Sequence, residues 1–170
     1  MVRKDSLTKL ERAAYHEAGH AVVSYLVHRR LAYVSIVPNP ADHTLGRCEY
    51  RNLATFKPGA PLTGRFRAQI EKLIIVLLAG AMTERLKTGR VYRKGSDDDM
   101  KQACDAAMCL FFDEEKEARA FVDWLWEHTR NILSYGPHWA AVEALAIELT
   151  ERRFIGERLA HRIIRESISG

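Results

Sequence analysis

The sequence has no hydrophobic stretch long enough to cross a bilayer: the longest apolar run, Leu73 to Met82, is about half of the roughly 20 residues that a spanning helix requires. It has no G-x-x-x-x-G-K-[ST] motif, so these 170 residues carry no P-loop for a nucleotide. Cysteine is scarce. Cys48, Cys104 and Cys109 are odd in number and lack C-x-x-C spacing, which argues against a disulfide framework and predicts free thiols in a reducing cytoplasm. Five prolines and ten glycines form no linker-like cluster, so a single domain over 1–170 is expected. Charge of one sign is also missing: 26 basic residues face 22 acidic ones, interspersed, for a net charge of +4. No nucleic-acid partner is expected from that balance, and the one local excess, Arg152, Arg153, Arg158, Arg162 and Arg165, reads as a solvated helix face. Met1 to Ser6 lead directly into an amphipathic pattern rather than a signal peptide, giving the expectation of a soluble, cytoplasmic chain with no membrane segment.

What is present is mostly helical periodicity. Thr8 and Glu11 are spaced as a capping box, and Leu10, Ala13, Ala14, Ala18, Ala21, Val22, Tyr25 and Leu26 recur at helical intervals, predicting a helix from Thr8 to about Arg30. Further helices are predicted at 63–87, 97–112, 115–134, 137–153 and 156–168, with Lys57 to Pro61 as a loop. In Tyr135-Gly136-Pro137 the glycine is expected to end one helix and the proline to open the next. Alternation over Tyr33 to Pro38 and Leu45 to Arg51 predicts a short β-hairpin or ribbon. The fold class is therefore mainly α with one small ribbon. Phe121, Trp124, Leu125, Ile132 and Leu133, with Trp139, Val142, Leu145 and Leu149, form the stripes of a helix-packing core.

Within the first helix lies His16-Glu17-Ala18-Gly19-His20. Residues i and i+4 share a helix face, so H-E-x-x-H lets two imidazoles reach one metal ion while Glu17 leans toward its open side. Two neutral imidazoles and one further ligand leave a fourth tetrahedral position for water, whose pKa zinc lowers from roughly 15.7 to about 7. Glu17 is then the general base that takes the water's proton and later delivers one to a leaving amine. Ala18, Gly19 and Ala21 keep the surroundings of His20 small, which allows another segment or a substrate backbone to approach closely.

A third ligand is sought among Asp97, Asp98 and Asp99. A carboxylate is the oxygen ligand expected beside two histidines, yet Ser96 as N-cap followed by acids in the first turn would also serve only to start a helix. Spacing leaves both readings open and does not choose among the three acids. Cys104 reads as small core packing rather than a ligand. His28, His43, His128, His138 and His161 belong to no ligand-like pattern, His43 alone lying in a loop that could reach the site.

Ala14 to Val22, followed by Val34-Ser35-Ile36-Val37-Pro38 and Leu45-Gly46, resembles the opening of the peptidase domain of FtsH-family, ATP-dependent zinc metalloproteases. Leu78 to Leu86 is similar to that family's Gly-Gly-Arg-x-Ala-Glu-Glu segment, Gly95 to Ala103 to its Gly-Ala-Ser-Asn-Asp-Leu-x-x-Ala segment, and Leu145 to Arg165 to its closing helix, turn and helix. The resemblance implies a helical zinc-protease domain, here without the ATPase module. It implies Zn2+ held by His16, His20 and Asp99, Glu17 as the catalytic acid/base, and Glu84 as an acidic residue near the metal that could orient a ligand imidazole. A solvated Glu84 beside Arg85 or Lys87 is the alternative. The sequence departs from the family pattern at Ala79, Ala81, Tyr92-Arg93-Lys94 and the longer Pro38 to Thr44 connection, all around the site rather than at the implied ligands.

Two functions fit. One is a zinc-dependent endopeptidase hydrolysing unfolded or flexible polypeptides, with an extended substrate laid along the ribbon's edge. The other is a noncatalytic, zinc-stabilised peptide-binding or assembly module, or a peptidase dependent on a separate ATPase partner. Retention of Glu17 favours the first, because a structural zinc site has no use for a base beside an open position. The related enzymes assemble as hexamers, so a homo-oligomer is among the expectations.

Overall fold

The computed structural model describes residues 7–38, 46–51, 62–112 and 114–170, with the side chains of residues 93–95 outside that description. The expected loop at Lys57 to Pro61 and His43 lie outside the described residues. Helix α1 spans Lys9–Leu26 and starts as its capping box requires: Thr8 Oγ1 accepts from Glu11 N–H at 3.2 Å, and the Glu11 carboxylate accepts from Thr8 N–H at 2.8 Å. It ends four residues earlier than its periodicity suggests. His28 turns left-handed at φ 59°, and Arg29 N–H returns to Ser24 O at 2.8 Å, which steers the chain out of the helix and into a strand.

Strands β1 (Leu31–Ser35) and β2 (Arg47–Tyr50) form the expected antiparallel pair, with a register shift between Leu31 and Tyr33. A third strand, β3 (Phe154–Gly156), adds to the other side of β1, so the order is β2-β1-β3 and the ribbon is two-thirds of a small antiparallel sheet. Three residues between two helices carry no alternation that a sequence could reveal. The connection exists because Arg153 takes a left-handed conformation at φ 67° and its carbonyl accepts from Ile36 N–H at 2.8 Å, drawing the segment onto β1.

Helix α2 (Gly64–Thr88) is the centre of the molecule. Ile70, Ile74, Ile75, Val76 and the run from Leu78 to Glu84 are buried, so its later part is enclosed on nearly all sides, as an apolar helix segment must be, while Gly64 to Gln69 are mostly exposed. It packs on α1, α3 (Arg93–Met108) and α4 (Glu115–Ser134), and ends at Gly89, whose φ of 76° suits glycine at this position. On its other side α1 packs against α5 (Gly136–Arg152), which in turn supports α6 (Glu157–Ser169). Val142, Leu145 and Leu149 of α5 meet Ala14, Ala18 and Val22 of α1 in one continuous core.

The turn at Tyr135 departs from its sequence reading. Tyr135, extended at ψ 125°, closes α4 and opens α5 by itself; Gly136 is already helical and Pro137 occupies the first turn, where its missing N–H costs nothing. Among the described residues no helix is long and apolar enough to cross a membrane.

Candidate metal centre

The crossing of α1 over α2 sets the site. Gly19 is the contact: a Cβ there would lie 2.2 Å from Thr83 Oγ1 and 2.8 Å from Ala79 O, so only glycine lets α2 come this near. The close approach anticipated at Gly19 is thus made by α2. It brings two acceptors under the histidines of α1. His20 Nδ1 lies 2.7 Å from Val76 O, and because a carbonyl only accepts, Nδ1 carries the proton and Nε2 is left with its lone pair. His16 Nδ1 donates likewise to Glu84 Oε1 at 3.0 Å.

Both Nε2 atoms consequently point into one space. They are 3.0 Å apart, and each is 3.2 Å from Asp99 Oδ2. Three lone pairs facing one another repel unless a cation sits among them, and bonds of about 2.05 Å to a tetrahedral zinc would separate ligand atoms by about 3.3 Å. The donor set of two imidazoles and one carboxylate fits zinc on both counts. Among the described residues His16, His20 and Asp99 are the group able to hold a metal ion; Cys104 is half-buried on the core and takes no part. Elsewhere, His138 Nδ1 bonds Ile132 O, His161 meets the edge of Tyr25 and His128 stacks on Trp124.

Asp99 reaches the site because α3 begins at Arg93, four residues before the position its sequence suggests. Tyr92, not Ser96, is the N-cap residue, its backbone N–H held by Glu84 Oε2 at 2.9 Å. Ser96 is therefore inside the helix, 3% exposed, and the acids fall in the second turn, where a helix-start role no longer accounts for them. Asp97 and Asp98 face solvent, while Asp99, three residues from buried Ser96, faces inward.

Glu84 is 5% exposed, which removes the solvated alternative; Lys87 pairs instead with Glu143 at 3.0 Å. Its carboxylate joins His16 to the turn before α3. The turn is also held by the Arg12 guanidinium, 4.0 Å above the Tyr92 ring. Sequence reasoning offered no signal for Tyr92, whose backbone does the work, or for Val76, which contributes only a carbonyl. Gly80 was visible only within Leu78 to Leu86, the segment similar to Gly-Gly-Arg-x-Ala-Glu-Glu. A Cβ at Gly80 would lie 2.5 Å from Nε2 of both histidines.

Charge in the cluster is tightly coupled. Burial opposes a charge on His16, but hydrogen bonds to Asp99 and Glu84 outweigh it and lift its pKa to about 10. Burial likewise opposes a charge on His20, yet the Asp99 carboxylate raises its pKa. Burial would favour the neutral acid at Asp99, but the two histidines hold its carboxyl well below the usual carboxylate range. The cluster attracts positive charge, and a metal must compete with protons for the two Nε2 atoms, so its affinity falls as pH falls.

Glu17 is 7% exposed and lies beside the cluster. Burial pushes its carboxyl up, with His16 and His20 opposing. The backbone entering β2 presses on it: a Cβ at Gly46 would come within 2.7 Å of Glu17 Cγ and Oε1. Cys48 Sγ donates to the Glu17 carbonyl at 3.2 Å, and burial with the Glu17 charge keeps this thiol protonated. The position of Cys48 beside Glu17 had no sequence signal.

Two variants probe this framework. Glu84→Gln should weaken zinc binding about tenfold by loosening the His16 ring, as losses behind a ligand histidine generally do. Gly80→Ala should weaken it at least about tenfold and also lower thermal stability, since a methyl pressed on both imidazole rings costs about 1–3 kcal/mol, more than the roughly 1 kcal/mol by which alanine favours a helix. Chelator competition and a circular-dichroism melt read both, and native zinc affinity in Gly80→Ala would refute the close packing.

The sequence model of peptidase family M41 matches residues 5–111, more than half of the chain. Among curated proteins, the ATP-dependent zinc metalloprotease FtsH of Haemophilus influenzae is 34% identical over 100 residues, which are 57% of this chain and 14% of that protein.

Proposed function

The chain belongs to peptidase family M41, and from that premise we propose that it is a zinc-dependent endopeptidase acting on unfolded or flexible polypeptide as one domain over 1–170. In this reading His16, His20 and Asp99 hold the metal, Glu84 and the Val76 carbonyl orient the two imidazoles, and Glu17 is the catalytic acid/base. Zinc bound there would act as a Lewis acid and bring the pKa of a neighbouring water from roughly 15.7 toward about 7. Glu17 takes the proton from the attacking water and returns one to the leaving amine. Its upward-shifted carboxyl suits both halves of that exchange. Strand β2, at the sheet's edge among the described residues, begins next to Glu17 and offers backbone groups for pairing an extended peptide across the site.

The observation that carries the reading is a buried carboxylate beside, but not within, the three-ligand cluster. A noncatalytic zinc module gains nothing from burying such a charge. Dependence on a separate ATPase is the second reading, favoured by the relative's description as ATP-dependent. A cytoplasmic location and a homo-oligomer complete the proposal.

The test is zinc content of the purified protein together with hydrolysis of casein. One zinc per chain with cleavage abolished by chelation is the expected result. Zinc without cleavage would move the assignment to the partner-dependent enzyme or the binding module, and no zinc at all would reject both.

A further inference from the structure

Arg158, Arg162 and Arg165 near the C-terminus are exposed, as a solvated helix face should be, and Arg30 and Arg51 are drawn in beside them through Glu157. Arg158, His161, Arg162 and Arg165 recur at helical spacing along α6, beyond the residues matched by the family, and line a cleft of about 510 Å³ with Tyr25, Arg30 and Glu157. Arg51 joins them: its backbone N–H donates to Arg30 O at 2.9 Å, and its Nε lies 3.2 Å from Glu157. Glu157, the cleft's one carboxylate, is thus already shared between Arg51 and Arg30, the latter at 3.9 Å. Among the described residues Arg158, Arg162 and Arg165 have no carboxylate partner.

The cleft's place relative to the site gives it meaning. Strand β2 runs alongside α1 in the same direction: Gly46 and Cys48 lie against Glu17, Tyr50 against Ser24, and Arg51 follows at the cleft. From Gly46 to Arg51 the strand covers about 17 Å at roughly 3.3 Å per residue. A peptide paired along β2 therefore passes from the Glu17 carboxylate to the arginine cleft within about four to six residues.

We propose that this cleft is a specificity site for acidic polypeptide, drawing Asp or Glu side chains that lie about four to six residues from the bond to be cleaved. The proposal rests on β2 as the peptide-binding edge. Four lining arginines against one committed carboxylate leave the excess positive charge that carboxylates would neutralise, and a concave wall of three elements holds them better than a flat helix face.

The experiment uses the full chain carrying Glu17→Gln, loaded with zinc, and a fluorescent twelve-residue peptide with a Glu cluster on one side or the other of its centre, compared with its Gln counterpart. At low salt one of the acidic peptides should bind about fivefold more tightly by anisotropy, with the advantage fading at high salt. Arg158→Gln with Arg162→Gln should abolish the advantage. Arg119→Gln with Arg130→Gln, which removes equal charge from α4, should retain it. In the chain with Glu17 intact the preference should appear in KM rather than kcat. Equal binding of acidic and neutral peptides, or equal loss in the α4 variant, would overturn the proposal. Single-stranded oligodeoxythymidine bound through Arg158 and Arg162, with no acidic-peptide preference, would overturn it in favour of nucleic acid. Arginine-dependent binding without cleavage of any peptide would sustain the cleft and reject the peptidase. Cleavage of all peptides with equal kcat/KM would do the reverse.

Discussion

Glu17→Gln should lower peptide hydrolysis by about 100- to 10,000-fold while zinc content and fold remain, because general acid/base catalysis contributes on that order. Glutamine has the shape of glutamate, so the packing of Gly46 on this side chain is preserved while the proton acceptor is lost. A second consequence separates this residue from an ordinary surface glutamate. Its pKa is raised by burial, so between the usual value of 4.5 and that raised value the folded state binds more protons than the unfolded one. Stability from this group is full below 4.5 and falls as pH rises through the folded pKa. The metal-free Glu17→Gln protein should accordingly be at least as stable as the parent at pH 7 to 8, with the difference vanishing toward pH 4. Denaturant melts at several pH values read this, and unchanged turnover in the variant would reject the role of Glu17.

Asp99→Ala should weaken zinc binding by roughly 100- to 1,000-fold, whereas Asp97→Ala should leave it unchanged. A structural zinc site is worth about 10–16 kcal/mol over four ligands, or roughly 3 kcal/mol for each. Asp99 Oδ2 is 3.2 Å from Nε2 of both histidines, and Asp97, two residues earlier on the same helix, faces solvent. Competition with a zinc-sensitive dye gives both affinities. Equal values would remove Asp99 from the metal centre and reopen the choice among the three acids.

Much of the scaffold was legible because it is local. The capping box at Thr8, the periodic stripes of α4 and α5 and the absence of any long apolar run each depend on residues within a few turns of one another. The end of α1 was misplaced because its stop is a backbone bond from Arg29 to Ser24 rather than a helix-breaking residue. The start of α3 was misplaced for a related reason: Ser96 has the chemistry of a cap, but Glu84, on another helix, holds the turn at Tyr92. Strand β3 is too short to show alternation and exists only because β1 offers it a partner. The arginines of α6 are exposed, as the sequence suggested, but a helix read alone does not show that Arg30 and Arg51 arrive beside it.

By itself the sequence determined a mainly α chain with a small ribbon, and placed His16, Glu17 and His20 on one helix. An i, i+4 pair shares a face whatever surrounds it, so those three could be singled out without any tertiary knowledge. The family resemblance already pointed to Asp99 and Glu84, but only the tertiary structure showed that Asp99 turns toward the histidines, that Glu84 is buried against His16, and that Gly19 and Gly80 are the clearances through which α1 and α2 meet. Such contacts join residues tens of positions apart, and their geometry follows from how the helices pack rather than from any pattern along one of them.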